Sequence, residues 1–206
     1  MLQQDARLLN ASAFAAWAAA LKMRVDVARR LLPRATLGMY GVVVDFCLPG
    51  NTSCWAELMR GSYWRLASAG VYDAIDVLSP RFYVAASWSV GLAANRSAEI
   101  LACTFTIRRR DGSPLPVSPY MSYLTFPELV PEAVDLAHAQ LAAIQSCIAT
   151  PVPCPADPKL APAAASLHSV QFWAGHDNAS LAIPWFSRVQ PRPPACTKEK
   201  HYNMNE

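Results

Sequence analysis

Residues 36–44, Thr-Leu-Gly-Met-Tyr-Gly-Val-Val-Val, decide how the rest of the chain is read. The segment is short, rich in β-branched residues and bounded by Pro33 and by Pro49-Gly50, which predicts a buried strand. Upstream, Ser12 can cap a helix whose apolar residues Phe14, Trp17, Leu21, Val25, Ala28 and Leu32 recur every three or four positions. Pro33 ends that helix. Helix and then buried strand is half of a β/α repeat, and the chain downstream continues the alternation.

Residues 55–70 have helical character, and 75–85 read as a second strand. A helix is expected over 95–110, with apolar Ile100, Phe105 and Ile107, before the turn signal Asp111-Gly112. The run Arg108-Arg109-Arg110 reads as the solvated end of that helix. Residues 115–125 form the third expected strand. The clearest helix covers 128–149, with Val130, Val134, Ala137, Leu141, Ile144 and Ile148 on one stripe. A Pro/Ala-rich link leads to a fourth strand at 168–174.

Helix and strand alternating four times implies parallel strands joined by crossover helices. The fold class is therefore α/β, and the expected architecture is a partial TIM-type (β/α) barrel of about four strands. An open doubly wound sheet is the alternative, but no Gly-rich phosphate loop is present to support it. Residues 1–190 are assigned to the partial barrel, as the C-terminal part of a catalytic domain. Residues 191–206 are assigned to a flexible polar tail. Half a barrel leaves strand edges and an inner face open, so either an upstream half or a second copy is expected to close it.

Apolar residues are 53% of the 206 and charged residues 16%, a globular composition, and a net charge of +3 gives no case for nucleic acid. No segment reads as a membrane span, and the start Met1-Leu2-Gln3-Gln4-Asp5 is not a signal peptide. Two features nonetheless point outside the cytosol. Four of six asparagines, Asn10, Asn51, Asn95 and Asn178, stand in glycosylation sequons. The six cysteines are even in number, and the pairs Cys47/Cys54 and Cys147/Cys154 each flank a short loop that a disulfide could close. Zinc is disfavoured, since no Cys-x-x-Cys pair or nearby His completes a ligand set, and no metal or cofactor is expected. A secreted or lumenal protein whose native start lies upstream of Met1 reconciles these signs.

Barrel enzymes place function at the C-terminal ends of their strands. Those positions here are aromatic: Tyr40, Tyr83, Tyr120, Tyr123 and Trp173. Aromatic faces stack on sugar C–H surfaces and phenols bond sugar hydroxyls, so a glycan is the expected partner. Asp45 is the one carboxylate well placed beyond a strand. Asp73 and Asp76 precede the second strand, and Asp177 with His176 lies beside the sequon of Asn178.

The run Leu32-Pro33-Arg34-Ala35-Thr36-Leu37-Gly38-Met39-Tyr40 resembles a segment of the hyaluronidase family of glycoside hydrolases. So do Cys47, Asn51 and Cys54 in order, Ser79 to Val84, Ser113 to Val117 with Tyr120, and Val170 to Trp173. The resemblance implies a Cys47–Cys54 bridge and a retaining reaction in which the substrate's own acetamide is the nucleophile. It implies that Tyr40 orients that acetamide, Trp173 walls the sugar pocket, and Tyr83 and Tyr120 line the cleft. The substrate it implies is a glycosaminoglycan or a related N-acetylated glycan. The family's general acid sits in an Asp-x-Glu motif that occurs nowhere in this chain, and Leu37 stands where the family has Trp. Without the acid, this chain is expected to be inactive alone; a non-catalytic sugar-binding barrel and an unrelated secreted α/β domain are the competing readings.

Overall fold

The computed structural model describes residues 10–42, 47–82, 89–121, 130–160 and 167–172. The chain is mixed α/β. In order it forms α1 (Ala11–Leu31), β1 (Gly38–Val42), α2 (Thr52–Leu58), a π-helical turn (Met59–Tyr63), α3 (Trp64–Ser68) and β2 (Val77–Pro80). Then come α4 (Val90–Thr104), β3 (Tyr120–Met121), α5 (Val130–Ala149) and β4 (Gln171–Phe172).

Every pairing between these strands is parallel. β1 pairs β2 from Gly38↔Val77 to Val42↔Pro80, and β3 pairs β4 through Tyr120↔Gln171 and Met121↔Phe172. Single parallel bridges, Leu78↔Val117 and Arg81↔Tyr120, join the two ladders, so the strands lie side by side in chain order. Backbone bonds across that seam are short: Ser118 N–H donates to the Leu78 carbonyl at 2.7 Å and Phe82 N–H to the Tyr120 carbonyl at 2.8 Å. Parallel neighbours in sequential order need a crossover between each pair, and the helices supply it.

The first strand shows why the sheet has two unlike faces. Gly38 is exposed, Met39 is buried and Tyr40 is half exposed. Met39, Leu78, Val117 and Met121 belong to one core cluster with Trp55, Leu58, Leu66, Ile100 and Leu101 from the helices. Gly38 and Tyr40 point the other way, as period-two alternation requires. Gly41 holds a left-handed φ of 81° where the register slips between Tyr40 and Val42, a bulge that a side chain would strain.

Local chemistry accounts for the element ends, and some differ from the sequence expectation. The cap of α1 is Asn10, not Ser12: its side chain accepts the Ala13 N–H. Phe14, Ala18 and Val25 are buried along α1, while Leu32, expected on the apolar face, is 54% exposed. Asp76 ties the end of α1 to the start of β1, accepting from the Arg29 guanidinium and, at 2.7 Å, from Leu37 N–H. Helix α4 starts five residues earlier than expected, capped by Ser89, and stops at Thr104.

Arg108 to Arg110 are therefore not a helix end. Arg109 donates to the carbonyls of Ile75 at 2.8 Å and Pro114 at 3.0 Å, and Arg110 pairs with Asp73. The basic run stitches the turn at Gly112 to the segment before β2.

Of the two short-loop cysteine pairs expected, one forms and the other does not. Cys47 and Cys54 form a disulfide, as the family resemblance implied. Cys154 pairs not with Cys147 but with Cys103, 51 residues away. This bridge fastens the end of α4 to the segment following α5, whereas Cys147 is a buried free thiol on α5. Spacing alone favoured the short loop, but α4 and α5 pack along each other and bring Cys103 to the link. Among the described residues no helix is long and apolar enough to cross a membrane.

Candidate functional site

The open face of the sheet carries a hollow of about 740 Å³. Its walls come from all four strands or the residues just before them: Gly38 and Tyr40, Val77 and Ser79, Tyr120, and Gln171 with His168; Thr36 completes the rim. On β1 and β2 the contributing residues are two apart, because alternate side chains share a face.

Two of the sequence-predicted site residues meet here. The rings of Tyr40 and Tyr120 lie edge to face, with centroids 5.1 Å apart and planes at 75°. They come from strands separated by β2, and Arg81, the residue after β2, makes a parallel bridge to Tyr120. The Arg81 guanidinium stands 5.9 Å from the centroid of the Tyr40 ring. The two phenols line the hollow, and one positive group stands beside the Tyr40 ring.

A polar chain lies on the approaches to β3 and β4. Ser118 and Ser169 hydroxyls are 2.6 Å apart, and Ser169 is 3.2 Å from His168 Nδ1. Behind β2, buried Gln140 on α5 donates to the Phe82 carbonyl and to the Ser97 hydroxyl, holding the end of β2 against α4 and α5. The Trp55 indole donates to Glu99 at 2.9 Å, and Arg96, 2% exposed, stacks 5.2 Å from the Trp55 ring.

The other predicted substrate residues, Asp45, Tyr83, Tyr123 and Trp173, lie outside the described residues, as do Asn178 and the tail. Asp73 and Asp76 are committed to arginines before the start of β2 and do not line the hollow. Among the described residues no group of three or more His, Cys, Asp or Glu is arranged to hold a metal ion.

Ser79, Gln171, His168 and Arg81 were not singled out from sequence. Counting by twos from Tyr40 and Tyr120 onto the paired strands would have found Ser79 and Gln171, once the register was known. His168 precedes regular strand geometry, and no periodicity marks it.

No protein-family model, no curated protein and no solved structure matches this chain.

Proposed function

We propose that this chain is the C-terminal part of a hyaluronidase-like β/α barrel and that its hollow binds an N-acetylated glycan. The observation that carries the reading is the Tyr40–Tyr120 pair, 5.1 Å apart on one open face of a parallel strand array. Two phenols at right angles offer one ring face to sugar C–H bonds and hydroxyls to sugar oxygens. Ser79, Gln171 and His168 add hydrogen-bonding groups around the same space. Parallel pairings with helical crossovers support the barrel reading, in which strand C-terminal ends such as Tyr40 carry the site.

In the substrate-assisted reaction the acetamide oxygen attacks the anomeric carbon, and the enzyme must hold that acetamide in line. Tyr40 is the residue we assign to that task. The reaction also needs a proton donor for the leaving oxygen, and no Asp-x-Glu stands in these residues. The chain's own share is therefore binding and orientation. The Cys47–Cys54 and Cys103–Cys154 bridges and the sequons support an oxidising, secretory compartment.

Calorimetric titration with hyaluronan and with N-acetylglucosamine oligosaccharides tests the reading. Saturable binding without hydrolysis is expected. Tyr40→Ala and Tyr120→Ala should each weaken it about tenfold, the equivalent of roughly 1.4 kcal/mol for one lost stacking or hydroxyl contact. A chain that binds neither ligand, or tyrosine variants that bind as well as the parent, would end the proposal.

A further inference from the structure

We propose that Asn10 and Asn51 carry N-linked glycans and that Asn95, in an equally good sequon, does not. The sequence alone treats the three alike: Asn10-Ala11-Ser12, Asn51-Thr52-Ser53 and Asn95-Arg96-Ser97. The structure separates them by what each needs for transfer, an accessible amide nitrogen and an accessible hydroxyl two residues on.

At Asn10 both requirements are met. Asn10 caps α1 and Ser12 lies in its first turn, and both are exposed. Ser12 Oγ donates to Asn10 Oδ1 at 2.9 Å, and Ala13 N–H donates to the same oxygen at 2.9 Å. Both bonds use Oδ1, so the acceptor nitrogen Nδ2 takes part in neither. Asn51 likewise caps a helix, α2, within the segment closed by Cys47 and Cys54. Its Oδ1 accepts from Cys54 N–H at 3.0 Å, and Ser53 is exposed.

Asn95 is also exposed, but it sits inside α4, and its hydroxyl partner is out of reach. Ser97 is 0% exposed; its Oγ donates to the Ala93 carbonyl at 2.9 Å and accepts from Gln140 Nε2 at 2.7 Å. Reaching it means unwinding α4 and parting it from α5. A surface loop, not a packed helix, is the ordinary setting of an occupied sequon.

The transfer itself balances simply. The donor is an oligosaccharide on a lipid pyrophosphate. Asn Nδ2 forms a bond to C1 of the first sugar, the C1–O bond to pyrophosphate breaks, and one amide proton is lost. Oδ1 is not consumed, so both existing bonds to it survive. Neither asparagine lines the hollow.

The test directs the full chain, in an Asn178→Gln background, into a eukaryotic secretory pathway behind a cleavable signal sequence. Peptide N-glycosidase treatment and site-resolved mass spectrometry are applied to retained and secreted protein together. Expected are glycans on most molecules at Asn10 and Asn51 and on a small minority at Asn95. Ser53→Ala should remove the Asn51 glycan while keeping the Oδ1 bond to Cys54, which separates loss of transfer from loss of folding. Asn95→Gln should leave the mobility unchanged. Unmodified Asn10 or Asn51, or Asn95 occupied as fully as they are, would overturn the inference. The outcome does not depend on what the hollow binds.

Discussion

Tyr72 shows how a single buried group sets a cost. Its ring is fully buried, and among the described residues its hydroxyl has no hydrogen-bond partner. Burial, reinforced by neighbouring Tyr63, pushes its pKa well above the ordinary value. A buried hydroxyl without a partner loses its water and gains nothing in return, so Tyr72→Phe should stabilise the fold by about 1 kcal/mol. Urea denaturation of the two proteins measures this; a lower midpoint for Tyr72→Phe would mean the hydroxyl is bonded. The functional tyrosines differ in kind. Tyr40 was legible from sequence because it sits in a β-branched strand, a position normally apolar, yet it is 49% exposed. Arg81 was not legible as a site residue: nothing in Ser-Pro-Arg-Phe-Tyr-Val says that its side chain turns towards Tyr40. That fact lives in the register between β2 and β3.

Among the elements, strands and helices were read from the chain at nearly their true places, because hydrophobic period and Pro/Gly punctuation are local signals. Each of the four expected strands holds a strand among the described residues, and the expected C-terminal ends of all four lie outside those residues. One disulfide pairing was misread. Two cysteines seven apart look like a loop, and only packing of α4 on α5 reveals the partner 51 residues away. The bridges should differ in worth accordingly. On the chain-entropy argument, removing Cys103–Cys154 by Cys103→Ala with Cys154→Ala costs about 4 kcal/mol, against about 2 for the seven-residue loop of Cys47–Cys54. Chemical denaturation of the two double variants checks the order; equal losses would show that native strain or residual unfolded structure outweighs loop length.

For the whole molecule, the titrating groups define a pH window. Burial alone would raise Asp76, but the Arg29 guanidinium, the Leu37 amide and the charge of Arg109 bring it below the ordinary carboxylate value. The Ser113 hydroxyl and amide do the same for exposed Asp111. Groups lowered on folding contribute stability above their unfolded pKa near 4, and that stability is lost as pH falls through the folded values. Tyr72 and Cys147 run the other way: burial raises both, so the folded chain keeps protons that the unfolded chain gives up. Their contribution is complete below the unfolded values, roughly pH 9 to 10, and is lost as pH rises beyond them. Thermal midpoints should therefore be flat from about pH 5 to 8 and fall on both sides. Tyr72→Phe should flatten the alkaline fall and leave the acid one alone. An unchanged alkaline limb would place the cause elsewhere.

Cys147, the one unbridged cysteine among the described residues, has a consequence for how the molecule matures. It stands seven residues from Cys154, while the native partner Cys103 is 51 away. In a chain not yet collapsed, encounter probability falls as about the three-halves power of separation, which favours the wrong partner roughly twentyfold. Early oxidation should thus trap Cys147–Cys154, and the native bridge should emerge only as Cys103 displaces Cys147 by thiolate attack on Cys154. Alkylation quenches taken during reoxidation should capture that shuffle, and Cys147→Ala should bypass it and reach the native form sooner.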